Sequence, residues 1–365
     1  MDKSSASDSR MDLRARETVR RFIARGRLSS MESLQEVSGR TTESQLRLMA
    51  ERAWIVGAQD PLGSEALLGS STLQELTVHL TEAMARLARD GEAAVLSPAQ
   101  IGSLEAISLL VDRPALLVRS GRFEPPVGAW SRLAANVQDL APMLASVGRL
   151  SVAPVYGGAV GTGFVVGESL LMTNRHVLDF FYTPDGDGGQ LIDGLSMTID
   201  FKQEYGSTVS SIFEVTGLRK IFPESSGIDL ALLEVKSRGS AGEPLPTPLL
   251  LQSRPVVIKN GAAICVVGYP QADPVRNNAG EMDRIFEQIY DVKRLSPGFV
   301  TASEAQGSFS HDCSTLGGSS GSCVIDLDTA SVIGLHWGGD YLSPNHALSL
   351  PRLAQTLTGL NFGST

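Results

Sequence analysis

Three short stretches of this 365-residue sequence carry residue types that can act together in chemistry. GTGFVVGESLLMTNRHV closes on His176 and a valine. SSGIDLALLEV sets Asp229 at the head of an apolar run. CSTLGGSSGSCV holds Ser320 inside a Gly-x-Ser-Gly turn. They occur in the order His, Asp, Ser, separated by 53 (229 − 176) and 91 (320 − 229) residues. A serine hydroxyl is a weak nucleophile until an adjacent imidazole accepts its proton. A carboxylate on the far side of the ring would fix its tautomer and stabilise the imidazolium. The glycines around Ser320 permit a sharp turn, in which the N–H groups of Gly318 and Ser320 can converge on a developing oxyanion. Acyl transfer, including peptide hydrolysis, is the chemistry such a set performs. Singly, each signal has a structural explanation: a lone histidine packs, GSSGS is common in loops, and Asp before a strand makes turns. Their conjunction in one order points to a site. His79, His311 and His346 have no comparable context and read as structural or surface residues.

Two kinds of element would have to position these residues. From about residue 149 the pattern consists of short β-rich runs: VAPVY, GTGFVVG, SLLMTN, SMTIDF, IDLALLEV, AAICVVGYP, SCVIDL and SVIGLHWGG. Gly, Pro, Asp and Ser turns divide them, which indicates an all-β barrel or sandwich. TPDGDGGQ lacks the later ligands of a calcium loop and reads as a hairpin turn. Before residue 149 the period is helical. MDLRARETVRRFIARGRL gathers Val19, Phe22 and Ile23 on one face, with arginines around the rest. SSTLQELTVHLTEAMARLARDG opens on cap residues and stops at glycine. SPAQIGSLEAISLLV and WSRLAANVQDLAPMLASV read as helices, the latter ended or kinked by Pro142. RPALLVRSGRF between them reads as a short strand and turn. The expected division is a mostly α-helical region 1–148 followed by a β domain 149–365.

Composition narrows the surroundings. A net charge of −9 argues against a nucleic-acid footprint, which needs a concentrated basic face. Cys265, Cys313 and Cys323 fit neither a metal knuckle nor a disulfide framework, so reduced thiols and a cytoplasmic location are expected. The first residues lack the apolar core of a signal peptide, and no stretch has the apolar length of a membrane span. No metal or other cofactor is called for.

TNRHV, IDLALLEV and GSSGSCV followed by VIGLHWGG resemble the trypsin-like peptidase superfamily, in particular its bacterial branch that includes the glutamyl endopeptidases. The resemblance spans about residues 150–360. It implies two six-stranded β-barrels of the chymotrypsin-like kind, with His176, Asp229 and Ser320 as a catalytic triad and Gly318 and Ser320 as the oxyanion donors. It also puts GYP (268–270) in the second barrel and VKRLSPG near the substrate cleft. The S1 pocket would draw on Ser314, Thr315 and Leu316, then on Leu335, His336, Trp337 and Gly338. No acidic residue stands at its base, which disfavours a basic P1 side chain. In the glutamyl branch a histidine and a threonine at such places receive the acidic side chain, and His336 and Thr315 match them. A structural His336 with a medium-sized apolar P1 residue is the competing reading.

Two departures from the family pattern stand out. Ser319 precedes the nucleophile where digestive zymogens have an aspartate, so activation by a freed N-terminus is not expected. Cys323 replaces a usual proline and should pack as a small hydrophobe. The helical front region resembles the effector-associated domains of bacterial intracellular proteases of defence or signalling clusters. That architecture implies an upstream sensor or adaptor bound through the region, and a protein substrate, possibly encoded by a neighbouring gene. The rival functions are a catalytically weak pseudoprotease used as a binding module, and an esterase built on the same three residues.

Overall fold

The computed structural model describes residues 72–90, 93–101, 103, 113–126, 130, 132–154, 159–185, 188–252, 257–273, 277, 279–303, 307–339, 344–354 and 356–357. The chain divides into two compact units, Met1–Asp112 and Arg113–Thr365. The arginine-rich stretch 11–28 lies outside the described residues. In the first unit, helix α1 (Leu73–Asp90) starts where Thr72 and Glu75 form a reciprocal cap. The Thr72 N–H donates to Glu75 Oε2 at 2.6 Å and the Glu75 N–H to Thr72 Oγ1 at 3.3 Å. Leu76, Leu80, Ala83, Met84 and Leu87 form its buried stripe, at the spacing one helix face requires. A second helical stretch begins at residue 98 with the same device, between Ser97 and Gln100. Gln100 Nε2 also donates to Glu82 Oε2 at 2.9 Å, fastening this stretch to α1.

The second unit takes in residues 113–148, which the helical pattern grouped with the front region. Strand β1 (Leu116–Leu117) and a turn bridged between Arg119 and Arg122 supply the short strand and turn read from RPALLVRSGRF. Helix α2 (Leu133–Leu144) ends two residues after Pro142. Then come β2 (Val147–Ala153), β3 (Ala159–Gly167), β4 (Leu170–Thr173), β5 (Tyr182–Asp185), β6 (Gly188–Leu191), β7 (Ser196–Asp200), β8 (Ile212–Ile221) and β9 (Ala231–Val235). The ring β2–β3–β4–β9–β8–β7 closes on itself, an antiparallel six-stranded barrel. The β5–β6 hairpin, formed by TPDGDGGQ, hangs from β8.

The second barrel is made of β10 (Ala263–Gly268), β11 (Arg294–Ser303), β12 (Ser308–His311), β13 (Cys323–Asp326), β14 (Ser331–Gly339) and β15 (Asn345–Ser349). Its ring is β11–β10–β13–β14–β15–β12. Helix α3 (Ala279–Phe286) lies between β10 and β11, and the single turn α4 (Leu350–Leu353) follows β15. β10 pairs with residues 294–299 of β11 on one side. On the other side β12 pairs with its end and β1 with its start, at Leu295 and Arg294. Alternate residues point inward, as period-two patterning requires. Leu150, Val152, Met197, Ile199, Phe213, Val215, Leu233 and Val235 belong to the first core; Ile264, Val266, Val324 and Phe309 belong to the second. All three cysteines are free and buried. Among the described residues no helix is long and apolar enough to cross a membrane.

Between the barrels lies a buried cation. Lys293 is wholly buried, and its Nζ donates to Leu144 O (2.7 Å), Phe201 O (2.8 Å) and Glu204 Oε1 (3.3 Å). Arg294 beside it, also buried, donates to Ala115 O, Phe286 O and Ile289 O. Lys293 and Arg294 of the VKRLSPG motif are therefore joinery. Burial lowers the Lys293 ammonium from the ordinary 10.5 to about 8, against the pull of Glu204. Replacing Lys293 with Met strands a buried carboxylate and two carbonyls and should cost about 3–5 kcal/mol in denaturant unfolding. The pH dependence has a definite sign. Between about pH 8 and 10 the folded chain releases this proton while the unfolded chain keeps it, so the Lys293 contribution to stability rises with pH. The wild-type advantage over Lys293→Met should therefore widen across that window; a constant advantage would mean that Lys293 titrates normally.

Candidate active site

The first half of the site follows from strand pairing. β4 and β9 are antiparallel neighbours, with Thr173 opposite Ala231. The residues just after β4 and just before β9 thus leave the same end of the first barrel, which brings His176 and Asp229 together across 53 residues of sequence. His176 sits in a single 3-10 turn (Arg175–Val177), which Arg175 braces by pairing with Asp179 at 2.9 Å. Buried Asn174 donates from Nδ2 to Asp229 O at 2.9 Å. The Asp229 carboxylate takes both donors of the histidine: Oδ2 lies 2.6 Å from His176 Nδ1, and Oδ1 accepts the His176 main-chain N–H at 2.9 Å. An ionised carboxylate only accepts, so in the neutral tautomer that this contact selects the proton is on Nδ1 and the lone pair on Nε2. Burial raises the Asp229 carboxyl, but the bonds with His176 and the charge of Arg175 outweigh it and hold the group below its ordinary value.

The second half is the loop between β12 and β13, where the main-chain carbonyls are held one after another. Gly317 O accepts the Gln271 N–H at 2.6 Å, Gly318 O accepts Thr162 Oγ1 at 2.8 Å, and Ser320 O accepts the Thr162 N–H at 2.9 Å. Ser319 O takes both the N–H (3.0 Å) and the hydroxyl (2.6 Å) of Ser322. In a trans peptide the N–H points away from its C=O. Anchoring these carbonyls therefore turns the amides of Gly318 and Ser320 the other way, and neither amide has a partner among the described residues. Gly318 has φ +81°, and a Cβ there would lie 2.5 Å from Tyr269 O. Gly321, at φ +87°, leaves room only for Thr162 O and Thr173 Oγ1. The Ser320 hydroxyl makes one long contact, to Trp337 O at 3.5 Å. β3 brings the two halves together: a Cβ on Gly161 would meet Val177 Cγ1 at 2.9 Å and Ser320 O at 3.2 Å. A base with a free lone pair, a lightly held hydroxyl and two unpartnered amides are what serine acyl transfer needs.

The remaining residues singled out in the sequence lie on the segment that leads into the Ser320 loop and on β14, whose Trp337 O meets the Ser320 hydroxyl. Ser314 Oγ donates to Arg113 O at 2.5 Å and Thr315 Oγ1 to Asn345 Oδ1 at 2.9 Å, so both hydroxyl protons are spent inside the protein. Asn345 also donates to Cys313 O at 2.6 Å and pairs with Gly339 on β14, bridging the two sides. His336 is buried, its Nδ1 3.2 Å from Nε2 of His311. Burial and then the neighbouring His311 press His336 well below the ordinary imidazole value. Burial brings His311 to about 3. Both rings are neutral near pH 7. The Trp337 ring is partly exposed and stacks on His346 at 5.1 Å, and the Cα of Gly338 faces open space. His311 and His346, set aside in the sequence, thus flank His336. Thr162, Gln271, Asn345 and Arg113 carried no sequence signal for the site.

Residues 161–335 match the family model of the trypsin-like peptidase domain. That span runs from Gly161 to Leu335 and contains His176, Asp229 and Ser320. Among solved structures the chain is similar to the inactive form of the Rv3671c protease (21% identity, TM-score 0.39, 62% of this chain and 93% of that one). It is similar also to an inactive-form alanine mutant of Rv3671c from M. tuberculosis H37Rv (20%, 0.39, 64% and 93%). A third is the serine endoprotease from Yersinia pestis (15%, 0.40, 60% and 64%). No curated protein matches the chain.

Thr162 offers a direct check of the peptidase-domain geometry. Thr162→Val keeps the shape but removes the hydroxyl that holds Gly318 O, so Ser320 should react with a fluorophosphonate probe about tenfold to a hundredfold more slowly. Thr162→Ser keeps the hydroxyl and should label nearly as the wild type does. Equal labelling of all three would remove Thr162 from the site.

Proposed function

We propose that the second unit is a serine endopeptidase acting through His176, Asp229 and Ser320. The observation that carries this reading is the Asp229 carboxylate engaging both N–H groups of His176, which leaves Nε2 as a base beside the Ser320 loop. Ser320 Oγ attacks the peptide carbonyl carbon as its proton passes to His176 Nε2. The carbonyl oxygen becomes an oxyanion bound by the N–H groups of Gly318 and Ser320. His176 then protonates the departing amine, leaving an acyl-enzyme. Water repeats the sequence, giving its proton to His176 and releasing the carboxylic acid and Ser320. The match of residues 161–335 to the trypsin-like peptidase domain supports the same reading.

For the substrate side chain we favour cleavage after Glu or Asp. With the protons of Ser314 and Thr315 engaged, the His336 imidazole, neutral before substrate binds, is the side chain the S1 wall has left to bond a substrate carboxylate. The helical residues before the second unit are the material for binding a sensor, an adaptor or the substrate protein. Their removal is best made at Arg113, because β1 and α2 belong to the second unit.

Two outcomes are expected. Ser320→Ala or His176→Ala should lower turnover about 10⁴-fold with the fold intact; a Ser320→Ala chain cleaving at the wild-type rate would end the reading. Cleavage sites in a proteome-derived peptide library should be enriched in Glu and Asp at P1, an enrichment that His336→Leu removes without loss of folded protein. Leu, Phe or Ala at P1 in the wild type would overturn the acidic assignment, and hydrolysis confined to esters would replace the peptidase by an esterase.

A further inference from the structure

Arg113 is the first residue of the second unit and lies far in sequence from the three site motifs, yet its main-chain oxygen accepts the hydroxyl of Ser314, on the segment that leads into the Ser320 loop. Its side chain is 6% exposed and is stacked against aromatic rings, the guanidinium carbon 5.7 Å from the Trp130 centroid and 5.2 Å from that of Phe299. From there it pairs with Asp312 Oδ2 at 2.5 Å. The second oxygen of Asp312 accepts the Phe299 N–H at 2.6 Å, and a Cβ at Gly298 would lie 2.7 Å from it. One residue further along, Cys313 O is held by Asn345; at the next, the Ser314 hydroxyl closes back onto Arg113 O. Arg113 therefore grips residues 312–314 at two points: by charge at Asp312 and by its own main chain at Ser314.

We propose that Arg113 is a specificity-determining positioning residue, holding the 312–314 wall of the S1 pocket and cancelling the charge of Asp312 behind it. The proposal rests on the endopeptidase reading, in which this wall and residues 336–338 receive the P1 side chain. A carboxylate two residues from Ser314 would, if unpaired, repel an acidic P1 group and attract a basic one, because charges separated by protein are poorly screened. Arginine suits the task better than lysine. Its planar head lies flat on Trp130 and Phe299 while still presenting a donor to Asp312.

The test uses the full chain and peptides that differ only at P1, carrying Glu, Leu or Lys, with kcat and KM measured separately. In Arg113→Met the apolar stem still packs on the rings, but Asp312 is unpaired. The Lys-to-Glu ratio of kcat/KM should then rise about tenfold or more, mainly through KM. Arg113→Lys should restore most of the wild-type ratio, and adding Asp312→Asn to Arg113→Met should return it to near the wild-type value. Should Arg113→Met not fold, Asp312→Asn alone serves, since it leaves an uncompensated cation and should shift the ratio toward Glu. A uniform loss on all three peptides, or a ratio that ignores Asp312→Asn, would reduce Arg113 to a structural strut and overturn the proposal. A wild-type chain that cleaves none of the peptides and leaves Ser320 unlabelled by a fluorophosphonate would instead sink the endopeptidase reading, and this inference with it. Labelling without a P1-dependent ratio would count against Arg113 alone.

Discussion

The geometry of the candidate active site depends on one buried threonine. Thr162 belongs to β3 of the first barrel; its N–H and its hydroxyl go to the Ser320 loop, at Ser320 O and Gly318 O, and its carbonyl accepts Thr173 Oγ1 at the end of β4. The same hydroxyl accepts the Tyr269 N–H at 3.2 Å. Buried polar groups must find partners, and the loop groups have no ladder of their own to supply them. Satisfying Thr162 and shaping the Ser320 loop are therefore one event. The loop is not a free turn that happens to contain serine. Thr162 of the opposite barrel holds Gly318 O and Ser320 O, while Gln271 and Ser322 hold Gly317 O and Ser319 O. The latter two are the carbonyls of the peptides whose amides, on Gly318 and Ser320, have no partner among the described residues.

That constraint explains why residues of two barrels can cooperate at ångström precision. His176 and Asp229 are fixed by the β4–β9 ladder of the first barrel, whereas Ser320 leaves the second barrel between β12 and β13. Nothing in either barrel's own ladder fixes the distance between these groups. Close contact at Gly161 and the Thr162 bonds fix it on the active-site side, and Lys293 with Tyr269 fixes it further in. Tyr269 bonds Thr162 through its N–H and reaches Val147 O with its hydroxyl at 3.2 Å. One residue thus links both parts of the joint. Its phenol is pushed well above the ordinary value, by burial first, so it remains a neutral donor there.

What could be read from the sequence was whatever is local. The β runs, the TPDGDGGQ hairpin and the three motifs depend on period-two alternation and on turn residues within a few positions of each other. The joint depends on pairs far apart: Thr162 with Gly318 at 156 residues, Lys293 with Leu144 at 149, Ser314 with Arg113 at 201. No periodicity reports such pairs. The second unit begins at Arg113 and not near 149 for a related reason. Helix α2 has the same 3.6-residue pattern as the helices before it, but its buried face and Asn136, which donates to Leu327 O at 2.6 Å, are used on the β domain. Ser314 and Thr315 had the right type and place for pocket hydroxyls. Only coordinates reveal that their protons are already committed.

The start of β11 condenses the logic of the unit into two residues. Successive side chains on a strand point to opposite faces. At Lys293 and Arg294 that alternation sends one cation toward the first barrel and the end of α2, and the next toward Ala115 and the segment around α3. Both cations are buried, and main-chain carbonyls satisfy most of their donors. Carbonyls are a neutral source of partial charge; Arg294 relies on them, and Lys293 adds the buried Glu204 carboxylate. A hydrophobic seam would hold the barrels together, yet it would let them slide. Carbonyl-directed cations fix a register, because each N–H has one acceptor position at hydrogen-bond distance. Arg113 extends the same principle to residues 312–314, where its side chain, like that of Lys293 with Glu204, pairs with a carboxylate. A cation on a carbonyl fixes position alone, whereas a cation on Asp312 fixes position and also cancels a charge, which is the basis of the role proposed for Arg113.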